Sequence, residues 1–221
     1  MNFLYKIQSI SKGGIARIMG AIHEQSLLNL DHTLDYEIKT FSTIENGIVV
    51  KKGSKYLKQT ITTTFANLPK NLRILHARMA YFFKKNKIAS NGKPFVIYHT
   101  YDTAKKLTKI SVCIPVKEEI RTTPESDITF GMFPDMRSVK VTLNGDYSHR
   151  DDAWKKASDF VIANKLERDP NIRVIELLTK GIEDVNKPSK WVTSIYFPLR
   201  SAAIAPATPE VKIIKPSTPA R

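Results

Sequence analysis

The sequence lacks the residues from which small disulfide-bonded domains and thiolate metal sites are built. It contains a single cysteine, Cys113, in 221 residues, which excludes an internal disulfide and a cysteine-rich metal site. No stretch approaches the roughly 18 consecutive apolar residues that a membrane-spanning helix requires. The five histidines show no metal-binding spacing, and no phosphate-binding loop or helix-turn-helix pattern is present. We therefore expect a cytoplasmic protein without a metal or cofactor, whose sequence shows no DNA-binding module.

Acidic residues are also missing from one part of the chain. Between Gly47 and Lys93 there are eleven Lys or Arg residues and no Asp or Glu, in a chain with a net charge of +14. Such a region can bind nucleic acid, an acidic protein partner or an anionic surface. These lysines are scattered between apolar positions, however, which favours a solvated face that keeps the protein soluble. Both interpretations stay open.

The two ends of the chain differ from its middle. Residues 1–43 are predicted to be an N-terminal helical segment, because apolar residues recur at helical spacing from Ile15 to Leu30. The apolar face of this helix must dock on the domain behind it, on a partner chain or on a domain outside this chain. Residues 200–221 are rich in proline and are predicted to be a disordered tail. The folded domain is expected to span residues 44–199.

The middle of the chain contains two series of elements in the same order. In each, a strand precedes an amphipathic helix, and two further strands follow. The second helix is predicted to be capped by Ser148, with Asp151 in the capping-box position. The first series is predicted at 56–65 (strand), 69–87 (helix), 94–100 and 109–116 (strands), and the second at 138–143 (strand), 148–165 (helix), 172–178 and 191–199 (strands).

The two series also match in sequence. The helices end in Phe82-x-x-x-Asn86-Lys87-Ile88 and in Phe160-x-x-x-Asn164-Lys165-Leu166. The closing strands read Ser111-Val-Cys-Ile-Pro-Val116 and Ser194-Ile-Tyr-Phe-Pro-Leu199. Two matches in the same order and at nearly the same offset indicate a duplicated βαββ unit, with copies at about 47–116 and 136–199. Neither unit can bury its sheet and helix alone, so we expect one α+β domain around a pseudo-two-fold axis.

Three motifs within residues 44–199 resemble the GyrI-like family, which is also called the effector-binding domain of AraC-type and multidrug-sensing bacterial regulators. The strand Pro94–His99, with Gly92 upstream, is similar to the family's Gly-Pro-Pro-x-x-x-Tyr strand. The turn Asn144–Tyr147, followed by Ala153-Trp154, is similar to its Gly-x-Tyr turn. The last strand, Val192–Leu199, is similar to its closing Thr-Glu-Ile-Tyr-x-Pro strand.

The resemblance implies a concave antiparallel sheet with two helices packed behind it and a hydrophobic cleft near the pseudo-axis. Family members hold flat, aromatic and often cationic small molecules between tyrosines and tryptophans, with a buried carboxylate as counter-charge. We therefore expect a small-molecule binding domain with a regulatory or sensory role in bacterial transcription. Two alternatives stay open, since some relatives hydrolyse reactive small molecules and others bind a protein partner such as gyrase. Nucleic acid is a further possible acidic partner.

The family resemblance also selects the candidate site. This chain has Ser194 where the family often has glutamate, and the equivalent position in the first copy is Ser111. The remaining central acid is Glu176, which either faces solvent or enters the cleft with a raised pKa, where it would act as counter-ion or, in a hydrolase, as the base. Trp154 and Phe130 are expected to be core residues. The candidate ligand-binding residues are Glu176, Tyr98, Tyr147, Trp191, Tyr196 and Ser194, and strand alternation places Ser194 and Tyr196 on the same face.

Overall fold

The computed structural model describes residues 14–182 and 184–200. Over these ranges the chain forms three helices and eight strands, and none of the helices is long and apolar enough to cross a membrane. The predicted tail beyond Arg200 and the first 13 residues lie outside the described residues. The helices are α1 (Gly14–Lys39), α2 (Leu68–Lys85) and α3 (Arg150–Ala163), and the strands are β1 (Ser42–Lys51), β2 (Ser54–Thr64), β3 (Phe95–Asp102), β4 (Leu107–Val116), β5 (Ile128–Phe133), β6 (Met136–Asn144), β7 (Val174–Lys180) and β8 (Val192–Pro198).

The predicted duplication is confirmed by the order of the strands. All strands pair antiparallel in one sheet, in the order β1-β6-β8-β7-β3-β4-β2-β5. From the central β3–β7 pair outwards, the first copy runs β3-β4-β2 and the second runs β7-β8-β6. The two βαββ units therefore meet at β3 and β7, where the pseudo-two-fold axis passes.

The sequence did not predict β1 and β5, the two edge strands of the sheet. β1 lies at one edge and β2 is second from the other edge, yet only Lys52 and Gly53 separate β1 from β2 along the chain. Across from them, Lys51 faces Met136 and Ser54 faces Phe133, so β1–β2 and β5–β6 form one continuous ladder. The sheet must curl until its two ends meet there.

The curl gives the sheet an inner face and an outer face. The inner face carries buried side chains from six different strands, although neither α2 nor α3 covers it. Its burial must come from the curl of the sheet, which confirms the expected concave sheet with two helices behind it. The buried inner-face residues are Tyr56, Phe95, Ile97, Cys113, Met136, Ile175 and Tyr196.

On the outer face, both helices pack into a larger core. Helix α2 buries Leu68, Leu75, Met79 and Phe83, which are large side chains at helical spacing. Helix α3 instead buries the small Ala153 and Ala157 together with Val161. Small residues allow a closer approach of helix and sheet, so α3 lies where its longer side chains can reach the strands beneath it.

The start of α3 differs from the prediction. Ser148 does not cap the helix, because the carboxylate of Asp146 accepts a hydrogen bond from the Ser148 backbone N–H and caps a short 3-10 turn, Tyr147–His149. His149 takes the N-cap position without a side-chain cap bond. Before this turn, Gly145 has a φ of +123°, which favours glycine, and a Cβ there would come within 2.6 Å of Phe41. The turn makes Arg150 the first residue of α3.

Among the described residues, helix α1 contacts the rest of the domain near its C-terminal end. Glu37 accepts a hydrogen bond from the Ser189 backbone N–H at 3.1 Å, and a ring nitrogen of His149 lies 2.9 Å from the Ile38 carbonyl oxygen. Phe41, just past the helix, stacks on the His149 ring with centroids 3.5 Å apart. Most large apolar side chains of α1 are exposed, including Ile22, Leu27, Leu30 and Leu34. Docking of this apolar face on the domain, on a partner chain or on a domain outside this chain stays a prediction.

Candidate functional site

The central acid of the second copy lies on the pseudo-axis. Glu176 on β7 is directly opposite Val96 on β3, and on its other side it faces Ile195 on β8. Its side chain is on the outer face, beneath α3, and the residue is 5% exposed. The sequence left open whether Glu176 faces solvent or enters the cleft, and the structure instead buries it between the sheet and α3, on the side opposite the concave inner face.

Both oxygens of the Glu176 carboxylate accept hydrogen bonds from aromatic side chains. The Tyr98 hydroxyl donates to Oε2 at 2.9 Å, and the Trp154 indole N–H donates to Oε1 at 2.5 Å. Burial raises the pKa of Glu176, while Arg150, Trp154 and Tyr98 oppose this rise because they stabilise the charged form. Burial and the neighbouring Glu176 likewise raise the pKa of Tyr98. Tyr98 therefore remains a neutral donor at physiological pH.

The guanidinium of Arg150 completes this site. Its Nε lies 3.9 Å from Glu176 Oε1, and Nη1 and Nη2 donate to the hydroxyls of Tyr98 and Tyr101 at 3.1 and 3.4 Å. The guanidinium carbon lies 5.5 and 5.8 Å from the centroids of the same two rings. Within the described residues, the buried Nε has no hydrogen-bond acceptor. A planar cation thus lies near two aromatic rings and beside a buried carboxylate.

Further aromatic rings surround this cation. Trp154 lies 5.0 Å from both Tyr98 and Tyr101, measured between ring centroids. Phe65 stacks on Tyr101 at 4.4 Å, and Phe197 meets Trp154 edge to face at 5.4 Å. The arrangement can hold a flat, positively charged group by ring faces and by one carboxylate. We call Glu176, Tyr98, Tyr101, Arg150 and Trp154 the Glu176 cluster.

Two predicted site residues, Tyr147 and Trp191, form a separate aromatic pair nearby. Their rings stack with centroids 4.8 Å apart, and the Trp191 indole N–H donates to the Val185 carbonyl at 2.8 Å. Burial raises the pKa of Tyr147 to about 12, with smaller contributions from Asp146 and Glu176. Tyr147 is thus close enough to the cluster to feel the charge of Glu176.

The other two predicted residues, Ser194 and Tyr196, lie on the inner face. They are directly opposite Leu177 and Ile175 on β7, which are on the side of the sheet away from Glu176. The expectation that Ser194 and Tyr196 face the same way is confirmed. The six predicted residues do not line one cleft, however, because the sheet separates these two from the other four.

Sequence reasoning missed three members of the cluster. Trp154 was assigned to the core, and its ring does pack there, but its N–H group serves Glu176. Arg150 and Trp154 are four residues apart on α3, a spacing that places both over the same strand, so this signal was available. Tyr101 was not predictable by alternation, because the ladder between β3 and β4 shifts register between Tyr98 and Thr100. This irregularity brings Tyr98 and Tyr101 to the same site.

Comparison with known proteins identifies the family and the fold. The sequence profile of the GyrI-like small-molecule binding domain matches residues 56–200. A cryo-EM structure of the EcmrR–DNA complex shares the fold with a TM-score of 0.61 and 16% identity, over 91% of this chain and 73% of that one. The crystal structure of the EcmrR C-terminal domain has a TM-score of 0.58 and 17% identity, over 73% of this chain and 99% of that one. No curated protein matches this sequence.

Proposed function

This chain belongs to the GyrI-like family of small-molecule binding domains, and from that premise we propose that it binds a flat aromatic cation at the Glu176 cluster. The position of the Arg150 guanidinium is the observation that supports this ligand class. The guanidinium is itself a flat cation, and it is held by a carboxylate and two tyrosine faces. A ligand of the same shape and charge would replace it.

Arg150 is able to leave the site without losing every partner. Its side chain is 16% exposed, so it lies at the solvent edge of the cluster. Its Nη2 already lies 3.3 Å from the carboxylate of Asp151, which is largely exposed. An outward rotation would keep the Arg150 charge next to Asp151 and would vacate the position beside Glu176, Tyr98 and Tyr101.

Replacement of Arg150 would also connect the site to helix α1. Arg150 directly follows His149, whose ring contacts the Ile38 carbonyl and stacks on Phe41 at the end of α1. A ligand that moves the first turn of α3 changes these contacts. This connection supports a regulatory rather than purely storage role, and it predicts that ligand binding alters hydrogen exchange of the amides of residues 36–41.

The contacts of Glu176 favour binding over hydrolysis. A general base needs a carboxylate oxygen that can reach a water molecule. Here Oε1 already accepts the Trp154 indole N–H, and Oε2 accepts the Tyr98 hydroxyl. Burial raises the pKa of Glu176, and the Arg150 charge opposes this rise by stabilising the ionised form. Glu176 is better suited to act as a fixed counter-charge.

The proposal can be tested by titration with ethidium, a flat aromatic cation whose fluorescence rises when it leaves water. Glu176→Gln should weaken binding about tenfold, because one ion pair is lost in a partly desolvated site. Arg150→Ala should tighten binding, because the competing cation is gone. The matched control is Arg73→Ala, which removes an exposed arginine of α2 and should leave the affinity for ethidium unchanged.

The sign of the ligand charge provides a second check. The aromatic anion anilinonaphthalene sulfonate should not gain affinity in Arg150→Ala, because that variant leaves the negative charge of Glu176 uncompensated. The proposal is wrong if ethidium binds wild type, Glu176→Gln and Arg150→Ala with equal affinity, or if Arg150→Ala weakens the binding of ethidium.

A further inference from the structure

A second candidate site lies at the end of the sheet where the curl closes. A cavity of about 380 Å³ opens there between the β1–β2 connection, the end of β4 and the start of β3. We propose that this cavity binds a small organic polyanion, in which a phosphate or carboxylate cluster is joined to an apolar group. We call it the lysine cavity, and the lysines that line it are Lys51, Lys52, Lys55, Lys93 and Lys117.

The lysine cavity has more positive charge than nearby carboxylates compensate. Lys52 pairs with Asp135 at 2.8 Å, and Lys93 pairs with Asp184 at 2.5 Å. The other three lysines, Lys51, Lys55 and Lys117, make no salt bridge within the described residues. Three lysines without a salt bridge line one cavity, and this composition suits a multiply charged anion, since hydrogen bonds from ammonium to phosphate or carboxylate are strong.

Lys51 is the most constrained of these three. Its Nζ donates to the Lys52 carbonyl at 3.1 Å and lies 5.4 Å from the Phe133 ring centroid and 5.7 Å from that of Tyr196. The ammonium group is half-buried, and this burial lowers the pKa of Lys51. An anion in the cavity would compensate the buried charge that the aromatic rings compensate only in part.

Apolar side chains also line the cavity. They include Phe95, Pro115 and Leu177. A lining that contains both lysines and apolar side chains suits a ligand with one charged and one apolar part, and the volume lies within the range of small-molecule sites, about 300–1,000 Å³. A nucleic-acid backbone would instead require an extended charged surface. The acid-free stretch from Gly47 to Lys93 supplies four of the five lysines, so part of its charge has a local purpose.

This site is independent of the Glu176 cluster. It lies at the closing end of the curl, next to the inner-face side chains Phe95 and Tyr196, whereas Glu176 lies on the outer face. The lysine cavity is proposed to bind an anion, whereas the Glu176 cluster is proposed to bind a cation. Loss of anion binding would therefore leave ethidium binding unchanged, and failure of one proposal would not affect the other.

The test uses the full chain and isothermal titration with ATP, inorganic triphosphate and adenosine. We expect ATP to bind more tightly than either of its parts, because it alone can contact both the lysines and the apolar side chains of the cavity. The triple variant Lys51→Gln/Lys55→Gln/Lys117→Gln should raise the dissociation constant for ATP at least about tenfold. The control Lys70→Gln/Lys84→Gln/Lys105→Gln removes the same charge from exposed positions. It should raise the dissociation constant for ATP less than about twofold.

Three outcomes would overturn the proposal. The first is the absence of ATP binding at low salt. The second is an equal loss of affinity in both triple variants, which would mean that only net charge attracts the anion. The third is displacement of ATP by short duplex DNA, together with an equal loss of DNA affinity in both triple variants. That result would assign the positive charge to a nucleic-acid surface.

Discussion

The two copies of the βαββ unit have the same strands and helix, but their side chains differ in polarity at equivalent positions. Aligned by their common ends, helices α2 and α3 place Leu72 where the second copy has Arg150, and His76 where it has Trp154. In the sheet, Val96 faces Val112 as Glu176 faces Ile195, so Val96 is equivalent to Glu176. The charged cluster of the second copy thus corresponds to a largely apolar set in the first.

This asymmetry follows from where the equivalent positions meet. Val96 and Glu176 are directly opposite each other across the central strand pair. Two carboxylates at this distance inside the protein would repel each other, so one of them would have to stay protonated. A single acid on the axis can instead be served by donors from both copies, Tyr98 from the first and Trp154 from the second. The duplicated fold therefore supports one site rather than two.

The largest expected effect comes from giving the second copy the leucine of the first. Arg150→Leu removes the cation that the described residues place next to the buried Glu176 carboxylate, and breaking a buried ion pair in this way costs about 3–5 kcal/mol in the free energy of unfolding. Urea denaturation at neutral pH measures this change. The loss should shrink at acidic pH, where Glu176 is protonated and no longer needs a counter-charge.

The double variant Arg150→Leu/Glu176→Val is the control for that experiment, since it gives both positions the residues of the first copy. It should recover most of the lost stability, because no uncompensated charge remains. If the double variant is as unstable as Arg150→Leu, the guanidinium contributes through packing and not through its charge.

Removal of the indole N–H should have the next largest effect. Trp154→Phe leaves Glu176 Oε1 without its donor, and a hydrogen bond to a charged group contributes about 1.5–3 kcal/mol. Trp191→Phe is the matched variant, because it removes an indole N–H that binds a neutral carbonyl, and it should cost about half as much. Equal losses of urea stability in the two variants would show that ring volume, and not the charge of Glu176, determines the effect.

Sequence patterns predicted the parts of this molecule that depend on short-range periodicity. The duplication and the two helices behind the sheet depend on repeated motifs, whereas the orientation of Glu176 was left open. β1 and β5 were missed because they gain their place only when the sheet curls and Lys51 comes opposite Met136. The spacing of Arg150 and Trp154 is visible in the sequence, but the Asp146 turn, which sets the first residue of α3, is what brings them over Glu176. Contacts that arise from curvature or from one cap leave little trace in local sequence.

The histidine of the first copy gives a smaller, pH-dependent effect. Burial lowers the pKa of His76 to about 4 from an ordinary value of 6.5, and its Nε2 has no hydrogen-bond partner among the described residues. Between pH 6.5 and about 4, His76 binds a proton in the unfolded chain but not in the folded one. The contribution of His76 to the free energy of unfolding is therefore fully present above pH 6.5 and is lost as pH falls towards 4. Because solvent reaches part of the ring, we expect a loss of about 1–2 kcal/mol.

Urea denaturation of His76→Leu across this pH range measures that contribution. The variant should be less sensitive to acid than wild type, whereas His23→Leu, at an exposed position of α1, should keep the wild-type slope. An unchanged slope in His76→Leu would mean that the ring accepts its proton in the folded protein as readily as in the unfolded chain.

The serines shared by the closing strands should have the smallest effect, and an unequal one. The Ser111 hydroxyl lies 2.6 Å from Thr60 Oγ1 and 2.7 Å from His99 Nε2, whereas the Ser194 hydroxyl makes a longer contact, 3.3 Å, with Thr179. Ser111→Ala should therefore cost about 1 kcal/mol, since two part-buried polar groups lose a partner, and Ser194→Ala only a few tenths. Equal costs would imply that both serines are retained for the close packing of the strands. An unequal result would show that the polar network on the inner face belongs to the first copy, as the charged cluster on the outer face belongs to the second.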